Sequence, residues 1–223
     1  MSDISMLING LKISAEKGAT FERRNPLDGG LATRAPAASP ADALMAVEAA
    51  AEALEAKMPL FIEAIAAETG ASGMWGGFNV MLGAGMLREA AALTTQISGE
   101  VILSDVPGNL AMGLRQPAGV VLGIAPWNAP VILGVRAIAV PLACGNTVIF
   151  KGSENCPRTH QLIAEAFVDA GFPPGVVNYI TNAPADAGAV VEAIVANPAV
   201  RRVNFTGSTK VGKIIAMTCA KYP

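Results

Sequence analysis

The chain has 223 residues, 52% hydrophobic and 15% charged, enough apolar material for one large domain or two small ones. A net charge of −2 with scattered Arg and Lys offers no footprint for nucleic acid. The longest apolar reach, Pro130 to Cys144, is broken by Arg136 and Pro141, and the start "MSDISMLING" lacks the pattern of a secretion signal, so no membrane partner and a cytoplasmic location are expected.

In chain order, Met6–Ile13 reads as a hairpin, followed by alanine-rich helices over roughly Pro40–Ala67 and Ala71–Ile97 that should cover one face of a sheet. Ser39 as N-cap, Pro40 at the first helical position and Asp42 near the positive end of the dipole mark the first helix start. Residues 99–118 alternate on either side of Pro107-Gly108-Asn109, which predicts a protruding hairpin, either an oligomer contact or an edge of the main sheet. Strands are then predicted at Gly119–Ile124, Asn146–Phe150, Val176–Ile180 and Arg201–Phe205. Helices are predicted at Pro130–Ala143, Pro157–Ala170, Ala185–Ala196 and Thr209–Ala220. Repeated βα units of this kind predict an α/β fold, a Rossmann-like parallel sheet flanked by helices.

Cys144, Cys156 and Cys219 form no Cys-x-x-Cys pair, and His160 is the single histidine, so neither a His-based metal cluster nor a triad needing a second histidine can be assembled. The three cysteines read as small packing residues. "GAGMLR" at Gly83 lacks the third glycine of a dinucleotide fingerprint and falls in a helical run, so it reads as helix packing. Tyr179 is followed four residues on by Ala183, which removes a Tyr-x-x-x-Lys pair.

Ligands of doubly wound sheets bind beyond the carboxyl ends of the strands, which directs attention to three junctions. "APWNAP" places Asn128, with two amide donors, after the first predicted strand; it serves a ligand or only a local turn bond. "KGSEN" places Lys151 and Glu154 after the second; the carboxylate suits a ribose diol and disfavours a 2′-phosphate, or the pair is merely solvated. "TGSTKVG" places Gly207 and Ser208 at a helix start, a site for phosphate or for ordinary N-capping by Ser208 or Thr209.

Together, "IAPWNAP", "PLACGNTVIFKGSE", "AGFPPGVVNYI" and "VNFTGSTKVG" resemble the aldehyde dehydrogenase superfamily in order and spacing across most of the chain. "FERRNP", "ETGASGMWGGFNV", "TQISGEVILSD", "LRQPAG" and "RRVNFTGST" are most similar to its bacterial aromatic-aldehyde branch, the salicylaldehyde and vanillin dehydrogenases. The resemblance implies NAD-dependent oxidation of an aldehyde: a cysteine thiolate adds to the carbonyl, hydride leaves for the nicotinamide, and water cleaves the thioester. It implies Asn128 as an oxyanion-hole donor, and Ile124, Ala125 and Trp127 beside the nicotinamide. Lys151 and Glu154 fall at the adenosine ribose, and Gly207, Ser208 and Val211 at the pyrophosphate and adenine. Trp75 is expected to stack on an aromatic aldehyde and Arg136, eight residues after Asn128, to meet a ring hydroxyl; otherwise Trp75 is core and Arg136 pairs with Glu89.

On this resemblance residues 1–98 and 119–223 form the NAD-binding domain and residues 99–118 a bridging hairpin of a homo-oligomeric parent. The chain reaches "CAKYP" where the family continues into a Glu-Leu-Gly-Gly motif, so the resemblance implies an N-terminal fragment without the general-base glutamate, the nucleophilic cysteine or the catalytic domain, inactive by itself. The alternative is a non-catalytic NAD-binding or assembly module from a truncated gene. A helix-long segment that the family carries between "AAAEAL" and "EAKMPLF" is missing, and "NYITNAPADAG" lacks a glycine-rich turn, so no cofactor contact is carried onto that loop.

Overall fold

A computed structural model describes residues 2–8, 11–36, 54–93, 96–169, 172 and 174–222. Four β-rich runs, each followed by a helix, form its centre: β8 (Val120–Ile124), β9 (Thr147–Lys151), β10 (Val177–Ile180) and β11 (Val200–Phe205). They are parallel, in the order β11-β8-β9-β10, and β10 continues antiparallel into an N-terminal hairpin of β2 (Met6–Ile8) and β3 (Leu11–Ile13). The strand order reverses at β8, between β9 on one side and β11 on the other, so the crevice at the carboxyl ends of β8 and β11 is the switch point where ligands of such sheets bind.

Helices α3 (Pro130–Ala143) and α4 (Pro157–Asp169) cover one face, on Val121, Val148, Phe150, Val177 and Tyr179. Helices α5 (Ala187–Val195) and α6 (Thr209–Cys219) cover the other, on Leu122, Ile124, Ile149 and Ile180. The alternation along each strand therefore feeds two cores rather than one core and water. Gly145, at φ +76°, ends α3 in the left-handed region, and the side chain of Asn146 accepts from the N–H groups of Ala118 and Gly119 while donating to the carbonyls of Pro141 and Cys144. That one amide fixes the start of β8 to the end of α3.

Of the expected helix over Pro40–Ala67, the Ser39, Pro40 and Asp42 start and the residues up to 53 lie outside the described residues. Within them, a 3₁₀ turn at Glu55–Lys57 leads into α1 (Met58–Thr69), which has a proline near its N-terminus and runs two residues past the expected end. Pro59 has no N–H to give and fits the first turn, a start signal inside the alanine-rich run. Helix α2 (Gly73–Leu93) follows; α2 packs on α3, and α1 packs on α2 and α4, one layer further from the sheet than expected. Gly83 carries the packing reading of "GAGMLR": a Cβ there would lie 3.1 Å from Val131 and 3.4 Å from Leu54.

A three-stranded sheet, β1 (Ser2–Asp3), β5 (Leu31–Pro36) and β4 (Thr20–Arg24), has no counterpart among the predicted elements. The 99–118 hairpin forms its own two-stranded sheet, β6 (Glu100–Ile102) with β7 (Ala111–Gly113), and is not an edge of the main sheet. Among the described residues, no helix is long and apolar enough to cross a membrane, and no group of three or more His, Cys, Asp and Glu is placed to hold a metal ion. Cys156 is buried and Cys219 packs against the second core, but Cys144 is exposed in the turn after α3, where a short side chain has nothing to fill.

Candidate active site at the carboxyl edge of the sheet

The parallel register puts the ends of β8, β9 and β11 side by side: Ile124 pairs with Lys151 on one side and Phe205 on the other. The junction loops that carry the predicted residues are therefore neighbours. In the first loop Ala125 is buried, Trp127 is 46% exposed and Asn128 is exposed just before the Ala129 N-cap of α3. Among the described residues the Asn128 side-chain amide has no partner, which removes the local turn bond as its role. Its backbone carbonyl accepts from the Trp75 indole N–H at 3.2 Å. Trp75 is 39% exposed and stacks on Phe78 at 5.5 Å, so it borders the Asn128 loop instead of filling a core.

Asn79, fully buried, tightens the same join. Its amide donates to the Trp75 carbonyl at 3.0 Å and its oxygen accepts the Ile132 N–H at 3.5 Å, one of the orphan donors in the first turn of α3. Sequence reasoning missed it, although a polar amide four residues after Trp75 on an otherwise apolar stretch of helix was the available signal.

Arg136 is exposed and, among the described residues, pairs neither with Glu89 nor with any other carboxylate. It lies on α3, which begins at Pro130 as predicted, two residues after Asn128. Arg136 sits about 9 Å along α3 from Pro130 at the usual rise per residue, where its backbone carbonyl accepts from Asn204 at 3.3 Å.

At the end of β9 the Lys151 ammonium is buried and 3.3 Å from Glu154 Oε2. Burial pushes the Lys151 pKa down and the Glu154 charge opposes that shift. Glu154, the more exposed of the pair, keeps Oε1 as an acceptor with no partner among the described residues. At the end of β11, Ser208 is the N-cap of α6, its hydroxyl accepting from the Val211 N–H at 3.3 Å. The N-capping reading is thus correct, and it leaves the N–H groups of Thr209 and Lys210 in the first turn for an anion. A Cβ on Gly207 would fall 2.4 Å from the Phe205 ring, so a larger residue there would have to displace that ring. Gly207, Ser208 and Val211 are all exposed.

Two buried groups behind this edge were not predicted. His160 has no exposure, accepts the Ser153 N–H on Nδ1 at 3.0 Å and so carries its proton on Nε2, which donates to the Pro130 carbonyl at 3.1 Å. Burial first, with the Lys151 charge assisting and the Pro130 bond opposing, lowers its pKa to about 3. The folded-state value is depressed below the ordinary 6.5, so the stabilising contribution is full above pH 6.5 and is lost as pH falls toward 3. The unfolding free energy of wild type relative to His160→Asn is expected to drop by about 2 kcal/mol between pH 7.5 and pH 5; urea titrations at both pH values measure it, and a pH-independent difference excludes it.

Glu68 is the second. Its carboxylate accepts from the N–H groups of Arg158 and Thr159 and from the hydroxyls of Thr33 and Thr159 at 2.7–2.9 Å, capping α4 from another element. Arg23 Nε donates to the Glu68 carbonyl and to that of Asn155. A cavity of about 290 Å³ lined by Asn25, Thr33, Leu60, Glu63 and Arg158 lies beside this knot and includes none of the predicted site residues.

A sequence profile described as the aldehyde dehydrogenase family matches residues 45–222. The chain is 56% identical over 244 aligned positions to a vanillin dehydrogenase of Pseudomonas fluorescens, covering 100% of this chain and 50% of the relative. With 223 residues against 244 positions, at least 21 positions of the alignment carry no residue of this chain. A salicylaldehyde dehydrogenase from Pseudomonas putida G7, solved with salicylaldehyde, superimposes with a TM-score of 0.95 at 42% identity, over 99% of this chain and 50% of that one. An NAD-dependent benzaldehyde dehydrogenase from Corynebacterium glutamicum superimposes at 0.90 with 26% identity, over 100% of this chain and 52% of that one. The chain thus spans about half the length of the relatives it matches.

Proposed function

The chain belongs to the aldehyde dehydrogenase family, and from that premise we propose that it forms the NAD-binding half of an enzyme that oxidises an aromatic aldehyde to its acid. The observation that carries this reading is the free amide of Asn128, held at the switch point by a loop that Trp75 anchors. Its N–H is placed to meet the aldehyde oxygen where negative charge develops.

The residues present fit a dinucleotide. Glu154 Oε1 and the Lys151 ammonium suit the adenosine ribose diol, the α6 N-terminus with Gly207 and Ser208 suits the pyrophosphate, and Val211, 43% exposed, offers an apolar surface to the adenine. Ile124, Ala125 and Trp127 border the nicotinamide, which when bound supplies the hydride acceptor. The nucleophile and general base are contributed by the part of the family's length that these residues do not span. Trp75 and Phe78 present a stacked aromatic face to the substrate ring, and the Arg136 guanidinium, unpaired among the described residues, meets a ring hydroxyl. The β6–β7 hairpin is a contact between subunits of a homo-oligomer, supported by its separate sheet and the exposed Val101, Leu103 and Met112.

Titration of the chain with NAD+ and NADP+ tests the cofactor assignment. NAD+ is expected to bind about tenfold more tightly, because a 2′-phosphate would face the Glu154 carboxylate. Glu154→Gln should narrow that gap, and tighter NADP+ binding by the wild type refutes the preference.

A further inference from the structure

The three loops of the candidate site end on different strands, and two of them are joined by one buried ring. His160, on the first turns of α4, reaches Ser153 in the loop after β9 and Pro130 at the start of α3, directly behind the loop after β8. We propose that His160 is a positioning residue of the cofactor site, its neutral imidazole fixing the Lys151–Glu154 loop to the α3 end of the Asn128 loop.

The ring can do this because both its nitrogens are used in one tautomer, an acceptor toward one loop and a donor toward the other. Its plane is held as well. The Phe150 ring lies 5.0 Å away, Cys156 Sγ stands 3.6 Å from Nε2, and Gly134 leaves the space that the imidazole edge approaches. Ser153 is the residue before Glu154 and two after Lys151, so losing its N–H anchor frees the segment on which the ribose pair depends. Asn128 is two residues before Pro130 and has its own second anchor in Trp75. The two hydrogen bonds of His160 should therefore matter unequally: the Ser153 bond governs cofactor affinity, and the Pro130 bond governs it little.

The inference rests on the dinucleotide reading above. Two isosteric variants separate the bonds. In His160→Asn the amide oxygen stands at the Nδ1 position and keeps the Ser153 bond; in His160→Gln the amide nitrogen stands at the Nε2 position and keeps the Pro130 bond. With ADP-ribose titrated calorimetrically against the whole chain, His160→Gln is expected to bind roughly tenfold more weakly than wild type, and His160→Asn within about twofold. Amide exchange at Ser153 should speed up in the Gln variant and stay slow in the Asn variant, a readout that needs no ligand. A purely structural histidine would lower the melting temperature of both variants and leave the three dissociation constants equal, which overturns the inference while the cofactor reading stands. A wild-type chain that binds neither ADP-ribose nor NAD+ overturns the cofactor reading, and with it the role of His160.

Discussion

In an active polypeptide that contains these residues, Asn128→Ala is expected to lower kcat by about 10²–10³-fold, the usual loss when one oxyanion-hole donor is removed. The affinity for NAD+ should stay within about twofold of wild type. Both halves of that expectation come from how the residue is held. The side-chain amide is exposed and has no partner among the described residues, so its deletion strands none of them and leaves no cavity. The backbone is what the fold uses: the Asn128 carbonyl takes the Trp75 N–H, and alanine keeps that carbonyl. A change confined to a group that meets the substrate only as charge develops should move kcat and leave binding alone. Steady-state kinetics with dinucleotide fluorescence titration measure the two. An unchanged kcat, or a loss of stability in place of a loss of rate, would overturn the oxyanion-hole role of Asn128.

The chemistry-bearing loops were legible because their signals are local. Pro130, Gly145 and the short β-rich runs set the helix start, the helix end and the strands within a residue or two of the observed β8, α3 and β9. The sheet of β4 and β5 was missed although Phe21, Thr33 and Ala35 are buried at alternate positions and the Asn25–Gly30 turn divides them. Short strands rich in arginine read as polar surface, and only the pairing of Glu22 with Arg34 and of Arg23 with Thr33 across the ladder explains them. Glu68 and His160 were illegible for another reason. Each joins elements far apart in the chain, Glu68 to Arg158 and Thr159, His160 to Pro130, and no spacing rule connects such positions. What the sequence did offer was a mild contradiction, an acidic Glu68 in the last turn of α1, where the helix dipole opposes it.

That contradiction is resolved at the N-terminus of α4, and its strength can be measured. Replacing Glu68 by glutamine is expected to lower the unfolding free energy by about 3 kcal/mol. The carboxylate offers oxygens alone, and its four donors converge on both of them. Glutamine puts an NH₂ in place of one oxygen, and that donor must then face either the Arg158 N–H or the Thr159 N–H and hydroxyl. Burial works against the charge, pushing the Glu68 pKa up while the two backbone N–H groups and the two hydroxyls hold it down. Removing the charge therefore recovers part of its desolvation cost, which keeps the expected loss below the upper end for a broken buried charge network. Thr33→Val, which deletes a single hydroxyl partner and preserves volume, should cost about 1 kcal/mol. Urea unfolding followed by the fluorescence of Trp75 and Trp127 reads both. If Glu68→Gln stays within about 0.5 kcal/mol of wild type, the four bonds contribute no more than a surface contact would. If the loss is as large as expected, cofactor affinity should fall with it, because Arg23 ties the Glu68 carbonyl to that of Asn155, the residue that follows Glu154. Stability and ribose recognition are then linked through the same few buried atoms, and the site is as rigid as the capping of α4 makes it.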